Sequence, residues 1–235
     1  MKHILLIGAS GFVGSALLRE ALDRDIAVLA VARNPDSITV SSPNLKTVGA
    51  DISSPDTVSR LAQGMDAVIS AYNPGWTNPE IYALTLSVYP AIVQGVKRAG
   101  VTRLLIVGGA GTLFVKPGVR VMDSGAIPDA ILPGVKALGE FYLNNLMKVN
   151  DLDWVFFSPA GSFVDGPRTG RYRLGKDDLL VDENGTSAIS VADYAKAMLD
   201  EFETPRHHQE RFTIGYWCGA SAHRQRRGGA GRGFP

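Results

Sequence analysis

Three glycines near the N-terminus have the spacing of a phosphate-binding turn. Gly8, Gly11 and Gly14 follow a short aliphatic run at residues 4–7 and open an apolar helical pattern. In a strand, turn and helix of this kind, backbone N–H groups and the positive end of the helix dipole face the pyrophosphate of a dinucleotide. We therefore predict a nicotinamide dinucleotide site here; the alternative is a tight strand-to-helix turn without a ligand.

The residue that follows the second aliphatic run bears on which dinucleotide is bound. Sites selective for NAD usually place an acidic residue at this point, about 20 residues past the glycines, to accept from the ribose 2′-hydroxyl. Here the position is Arg33, 19 residues beyond Gly14. A guanidinium suits a 2′-phosphate, so we predict that NADP(H) is preferred, with NAD(H) as the alternative. Arg33 could instead stack on the adenine or face solvent.

Residues after the later runs are candidates for the remaining cofactor contacts. Asp51 could accept from the adenine amino group while Ile52 packs on the ring, although Asp also commonly forms turns. The fourth aliphatic run, residues 67–71, should end on the ribose and nicotinamide side. Small residues after the fifth run, residues 104–107, would allow a flat ring to approach the backbone. These further candidates are Ser70, Ala71, Tyr72, Gly108 and Gly109.

The acid that most short-chain reductases use is missing. Those enzymes carry Tyr-x-x-x-Lys, in which the lysine lowers the pKa of a proton-donating tyrosine. Tyr142 is the obvious candidate, but Leu146 stands four residues later. We predict Tyr72 and Lys136 as the catalytic candidates, with Lys136 near the nicotinamide ribose; the alternative for Lys136 is a surface ion pair with Glu140.

Hydride transfer to a flavin needs proximity and stacking more than acid catalysis. Aromatic residues in the loops that should form the substrate region fit this chemistry. The predicted substrate contacts are Trp76, Phe114, Phe163 and Tyr172. The alternative for each of them is a place in the core.

The order of the elements predicts the fold. Short aliphatic runs alternate with helical patterns, which is typical of a parallel sheet covered by helices on both faces. We predict an α/β, Rossmann-like, doubly wound parallel sheet with a small, loop-built substrate region. Strands are expected at residues 4–7, 27–32, 45–48, 67–71, 104–107, 154–157 and 212–216, helices at 12–22, 55–62, 80–99, 134–149 and 191–203, and long loops at 110–133 and 158–189.

Composition restricts the remaining possibilities. The 235 residues carry a formal net charge of +1, which favours neither a nucleic-acid nor a membrane partner. One cysteine gives no disulfide framework, and we predict no metal site and a cytoplasmic location. Residues 1–217 are predicted to form one domain, as a monomer or homodimer. Residues 218–235, rich in Gly and Arg, are predicted to be a disordered basic tail or a non-native end.

Several segments together resemble a known family. Residues 7–14, 66–72, 107–111, 153–160, 168–173 and 189–194 resemble the NAD(P)H-binding, NADH-flavin reductase-like family of atypical short-chain dehydrogenase/reductases. This family neighbours the biliverdin reductase B-type flavin reductases and the NmrA-like regulators. The resemblance implies that Gly8, Ser10, Gly11, Phe12, Val13 and Arg33 hold the diphosphate and adenosine, and that Pro159 and Ala160 lie against the nicotinamide.

Three functions are compatible with these observations. The leading hypothesis is a reductase that passes hydride from NADPH to a flavin or a similar small flat acceptor. The second is a non-catalytic, NmrA-like redox sensor that binds the dinucleotide, for which the missing tyrosine-lysine pair is equally expected. The third is a short-chain reductase that modifies a carbonyl compound or a sugar nucleotide, which the missing acid disfavours.

Overall fold

A parallel sheet dominates the computed structural model, which describes residues 1–217. The predicted basic tail, residues 218–235, lies outside the described residues. Short strands form one eight-stranded sheet and two small two-stranded sheets among the described residues. They are β1 (His3–Ile7), β2 (Ala27–Ala32), β3 (Leu45–Gly49), β4 (Ala67–Ser70), β5 (Arg103–Val107), β6 (Phe114–Lys116), β7 (Val119–Arg120), β8 (Asp153–Ser158), β9 (Ser162–Val164), β10 (Arg173–Gly175), β11 (Ala188–Ser190) and β12 (Glu210–Gly215).

Strand order places the cleft of the fold beside β1. The eight-stranded sheet runs β10-β12-β8-β5-β4-β1-β2-β3, and every neighbouring pair is parallel except β10 with β12. From β1 the chain first adds β2 and β3 on one side and then adds β4 and the later strands on the other side, so the order of strand addition switches between β1 and β4. In an open α/β sheet, ligands bind outside the carboxyl ends of the strands at such a switch point.

Helices cover both faces of the sheet, as predicted. They are α1 (Phe12–Asp23), α2 (Pro55–Ala62), α3 (Ile81–Arg98), α4 (Leu132–Glu140) and α5 (Val191–Glu203). One apolar layer joins the sheet to α1 and α5, and the other joins it to α2 and α3. The doubly wound Rossmann-like fold is thereby confirmed. No helix within residues 1–217 is both long and apolar enough to cross a bilayer.

The helix predicted over residues 134–149 is wrong in detail. α4 ends at Glu140, a π-helical turn follows at Phe141–Asn145, and a 3-10 turn closes at Leu146–Lys148. Two adjacent aromatic rings explain the break, because both are buried: Phe141 stacks on Tyr89 with centroids 4.7 Å apart, and Tyr142 stacks on Phe156 at 4.6 Å. The wider π turn allows consecutive side chains to reach one core.

The two predicted long loops contain strands of their own. The first carries the hairpin of β6 and β7, and the second carries β9, β10 and β11. They also meet each other: the N–H of Phe114 donates to the carbonyl of Asp177 at 2.8 Å, and that of Leu179 donates to the carbonyl of Phe114 at 2.9 Å. The two segments therefore form one joined flap over the carboxyl edge of the sheet.

Candidate functional site

The glycine turn folds tightly against the ends of β1 and β2. Gly8 has a φ of +79°, which favours glycine, and the N–H groups of Gly8 and Ala9 both donate to the carbonyl of Val31, at 2.9 and 3.1 Å. A Cβ at Gly14 would lie 2.8 Å from the carbonyl carbon of Gly8 and closer still to its oxygen. The first turn of α1 is therefore held directly against the end of β1.

The N-terminus of α1 is open toward the cleft. Gly11 is the N-cap, and within residues 1–217 no side chain caps it and no acidic residue lies in the first turn. The first intrahelical bond is donated by Ser15 to Gly11, so the N–H groups of Phe12, Val13 and Gly14 precede the ladder. Three backbone donors and the positive end of the helix dipole thus fit a diphosphate.

A cleft of about 1260 Å³ extends from this turn across the switch point. Sixteen of the predicted site residues line it. They are Gly8, Ser10, Gly11, Phe12, Val13, Arg33, Asp51, Ile52, Ala71, Tyr72, Trp76, Gly108, Gly109, Pro159, Ala160 and Phe163. The structure therefore brings together residues from the ends of β1, β2, β3, β4, β5 and β8.

One end of the cleft carries charge. Arg33 and Asp51, which follow β2 and β3, are both exposed at its rim. Oδ1 of Asp51 accepts from the N–H of Ser53 at 2.9 Å, and this backbone hydrogen bond lowers the pKa of the carboxyl. Asp51 therefore forms the turn that its residue type suggested, while a carboxylate keeps lone pairs for a further donor.

Tyr72 lies toward this charged end. Burial raises the pKa of its hydroxyl, while Arg33 lowers it and Asp51 raises it. Its backbone carbonyl accepts from the Tyr89 hydroxyl at 2.9 Å, and the two rings meet edge to face. The hydroxyl is therefore protonated at neutral pH, and its charged neighbours are those expected around the adenosine.

The opposite end has a floor of small residues. Gly108 and Gly109 follow β5, and Pro159 and Ala160 follow β8. A Cβ at Gly108 would lie 2.6 Å from the ring of Phe156 and 2.9 Å from the carbonyl of Phe157, so this position cannot carry a side chain without a shift of its neighbours. The floor is therefore lined by residues with little side-chain bulk.

Two predicted cofactor contacts lie outside the cleft lining. Ser70 is fully buried in β4. Lys136 is exposed on α4, whose neighbouring residues Val135 and Leu138 line the cleft instead. Its predicted ion-pair partner, Glu140, accepts a hydrogen bond from the Tyr82 hydroxyl. Lys136 therefore does not line the cleft, and its place near the nicotinamide ribose stays a prediction.

Two predicted substrate contacts are likewise turned to other partners. The ring of Phe114 lies under the guanidinium of Arg120 at 5.3 Å, within the β6–β7 hairpin. The hydroxyl of Tyr172 donates to Asp200 of α5 at 3.1 Å, and the residue packs against the apolar layer below. Neither residue lines the cleft.

Sequence reasoning missed the wall that meets the floor. It is formed by Ile127, Ile131, Val135 and Leu138, which we call the apolar wall. These residues are spaced four, four and three apart, the spacing of one helical face. That periodicity, starting before the helix itself, was a signal that could have identified them.

A buried arginine supports the turn at the end of β5. Arg211 of β12 donates to the carbonyl of Thr112 at 2.8 Å and to its Oγ1 at 2.7 Å, and it also pairs with Asp177 of the flap. Its guanidinium lies 5.2 Å from the centroid of the Tyr142 ring. Thr112 lines the cleft, so Arg211 positions a cleft residue from below without entering the cleft.

Replacing Arg211 with methionine should lower the free energy of unfolding by about 1–3 kcal/mol, because the buried oxygens of Thr112 lose a charged donor. Urea unfolding measures this, and Arg211→Lys should recover part of the loss. Lys176→Met is the control, since Lys176 pairs with Glu210 on the surface and should contribute about 0.5 kcal/mol or less. Equal unfolding free energies for Arg211→Met and Lys176→Met would contradict the role of Arg211.

Comparison with known proteins agrees with this geometry. The family described as NAD(P)H-binding matches residues 8–202. The chain belongs to this NAD(P)H-binding family. The uncharacterized protein YwnB of Bacillus subtilis is 38% identical over 212 residues, covering 89% of this chain and 96% of that protein.

Solved structures give the same fold at high similarity. A "putative epimerase" from Bacteroides thetaiotaomicron is 62% identical with a TM-score of 0.88, covering 92% of this chain and 97% of its own. A "putative NADH-flavin reductase" from Streptococcus pneumoniae is 32% identical with a TM-score of 0.77, covering 92% of this chain and 100% of its own. The Rossmann-like fold and the NAD(P)H-binding family predicted from the sequence are thus confirmed.

Proposed function

We propose that this protein transfers hydride from NADPH to a small flat acceptor of the flavin type. The observation that carries the proposal is the floor of Gly108, Gly109, Pro159 and Ala160, which lines the same cleft as the glycine turn and meets the apolar wall. A planar ring system that lies on this floor would have the apolar wall at its edge. The relative from Streptococcus pneumoniae, described as a "putative NADH-flavin reductase", supports the acceptor class.

The chain has groups suited to each part of the cofactor. The N–H groups of Phe12, Val13 and Gly14 suit the diphosphate, Arg33 suits the 2′-phosphate, and the floor suits the nicotinamide. When bound, a reduced nicotinamide supplies a hydride. The work of the protein is to hold the two rings in contact and exclude water between them, and orientation of this kind can supply much of a rate enhancement.

The buried tyrosines fit an acceptor such as a flavin, which takes hydride from NADPH at a ring nitrogen and its second proton from solvent, so that NADP⁺ and the reduced flavin are the products. Tyr89 is fully buried with its hydroxyl bonded to the carbonyl of Tyr72, and Tyr142 lies stacked in the core with its pKa raised by burial. Carbonyl reduction and sugar epimerisation ordinarily use a tyrosine of lowered pKa. For this reason the name "putative epimerase" of the Bacteroides relative does not alter the proposal.

Steady-state oxidation of NADPH under anaerobic conditions tests the proposal, with riboflavin and a naphthoquinone as acceptors. Acceptor-dependent loss of the nicotinamide absorbance is expected, together with a primary isotope effect when the transferred hydrogen is deuterium. Gly109→Leu adds a side chain whose Cβ would lie 3.3 Å from Cδ2 of Leu138, where the floor meets the apolar wall, and it should lower kcat/KM at least about tenfold. Binding of NADPH without acceptor-dependent oxidation would refute the proposal and favour the sensor.

A further inference from the structure

The two ends of the cleft differ in polarity, and this difference bears on which acceptors fit. Among the described residues that line the cleft, the charged ones are Arg33 and Asp51, both at the adenosine end. The other end is bounded by the apolar wall and by Trp76, whose side chain is 48% exposed. An acceptor entering there meets aliphatic and indole surface.

The apolar wall is fixed closely to its neighbours. A Cβ at Gly111 would overlap Cγ1 of Val135, and one at Gly139 would lie 3.0 Å from Cγ2 of Thr112. A Cβ at Gly134 would lie 3.0 Å from the ring of Trp76 and 2.5 Å from Cδ1 of Ile81. Glycines at these three positions therefore allow α4 to pack against the 111–112 turn on one side and against Trp76 on the other.

Burial of an ionised group against such a surface is costly unless a partner pairs with it. A phosphate carried by the acceptor would have to lie beside the apolar wall or be held out in solvent. An uncharged ring system loses much less free energy than a phosphate on burial there, and it gains from contact with the indole of Trp76.

We propose that the acceptor is an uncharged molecule with a flat ring system, such as riboflavin or a neutral quinone, and that acceptors bearing a phosphate are selected against. This inference rests on the proposed function and narrows it to one chemical class. The apolar wall and Trp76 are the elements that select.

Riboflavin and FMN form a matched pair for the test, since they share one ring system and differ by a phosphate. We expect kcat/KM with NADPH to favour riboflavin at least about tenfold. The same preference is expected in the dissociation constants for protein loaded with NADP⁺, measured by quenching of flavin fluorescence. Values for FMN within about threefold of those for riboflavin would overturn the inference.

A charge placed in the apolar wall should change the preference. Ile127→Lys is expected to move the FMN to riboflavin ratio toward FMN by about tenfold, because the ammonium can pair with the phosphate. Ile127→Gln, which adds a polar but uncharged side chain, should move the ratio by less than Ile127→Lys. Val115→Lys, which adds the same charge on the exposed β6 strand outside the cleft, should leave the ratio unchanged. Equal ratios in Ile127→Lys and Val115→Lys would contradict selection by the wall.

The two proposals can fail separately. If neither flavin is reduced but riboflavin binds the NADP⁺-loaded protein more tightly than FMN, the hydride-transfer proposal fails and the selectivity stands. If both are reduced with similar kcat/KM, the reductase stands and the selectivity is refuted. If neither flavin binds, the inference about the acceptor is refuted.

Discussion

Replacing Gly14 with alanine is expected to abolish measurable NADPH binding and to destabilise the fold. The added Cβ would lie 2.8 Å from the carbonyl carbon of Gly8, nearer still to its oxygen, and 3.0 Å from Cα of Ala9. All three atoms belong to the backbone, so the overlap is relieved only if α1 moves away from β1. That movement displaces the N–H groups that face the diphosphate. We expect a loss of affinity of at least about a hundredfold.

The cost to stability should be typical of an overpacked site, about 1–3 kcal/mol. Gly11→Ala is the matched control, because the same methyl group there would lie 3.3 Å from the Gly8 carbonyl oxygen and would otherwise enter the cleft. Gly11→Ala should therefore weaken NADPH binding with little change in stability. Calorimetric titration and urea unfolding separate the two effects. Wild-type affinity in Gly14→Ala would show that the first turn of α1 does not hold the cofactor.

The central strands and the glycine turn could be predicted because each is determined locally. The run at residues 4–7 lies within β1 (His3–Ile7), and the run at 27–32 coincides with β2. A strand buried on both faces needs several consecutive aliphatic residues, and the turn needs glycine wherever a Cβ would meet backbone. Both requirements concern residues that are neighbours in the sequence, so the sequence shows them directly.

The break after α4 could not be predicted in the same way. The apolar pattern of residues 134–149 continues past residue 140, and Gly139 lies inside α4 and not after its end, where a glycine stop would stand. What ends α4 is the stacking of Phe141 on Tyr89 and of Tyr142 on Phe156, contacts made across the sheet-facing layer. These contacts depend on residues that are distant in the sequence, and helix propensity, which reflects only neighbouring residues, cannot predict them.

The two ends of the site also differ in how far the sequence alone predicts them. The dinucleotide end depends on one turn and on the residues that follow the strands, and those positions are given by strand order. The acceptor end depends on which way loop side chains turn. Phe114 is withdrawn by pairing of its segment with residues 177–179, and Tyr172 by its hydrogen bond to Asp200, while Ile131 and Val135 line the cleft. That a loop residue is aromatic did not indicate whether its side chain points into the cleft.

Replacing Arg33 with alanine is expected to change the cofactor preference. Arg33 is exposed at the cleft rim and forms no ion pair with another described residue, so no internal partner competes for its guanidinium. A charge-assisted hydrogen bond to a 2′-phosphate contributes about 1.5–3 kcal/mol, which corresponds to roughly ten- to a hundredfold in affinity. Arg33→Ala should weaken NADPH binding by that factor and leave NADH binding within about twofold.

Arg33→Lys separates charge from geometry. A lysine keeps the positive charge but cannot bind two phosphate oxygens in the planar, bidentate manner of a guanidinium. Its affinity for NADPH should therefore lie between those of the wild type and Arg33→Ala. Because Arg33 is exposed, the preference for NADPH that we propose should also shrink as salt is added. Calorimetric titrations of both cofactors at two ionic strengths measure these effects. Equal losses of NADPH and NADH affinity in Arg33→Ala would instead indicate stacking on the adenine, which the two cofactors share.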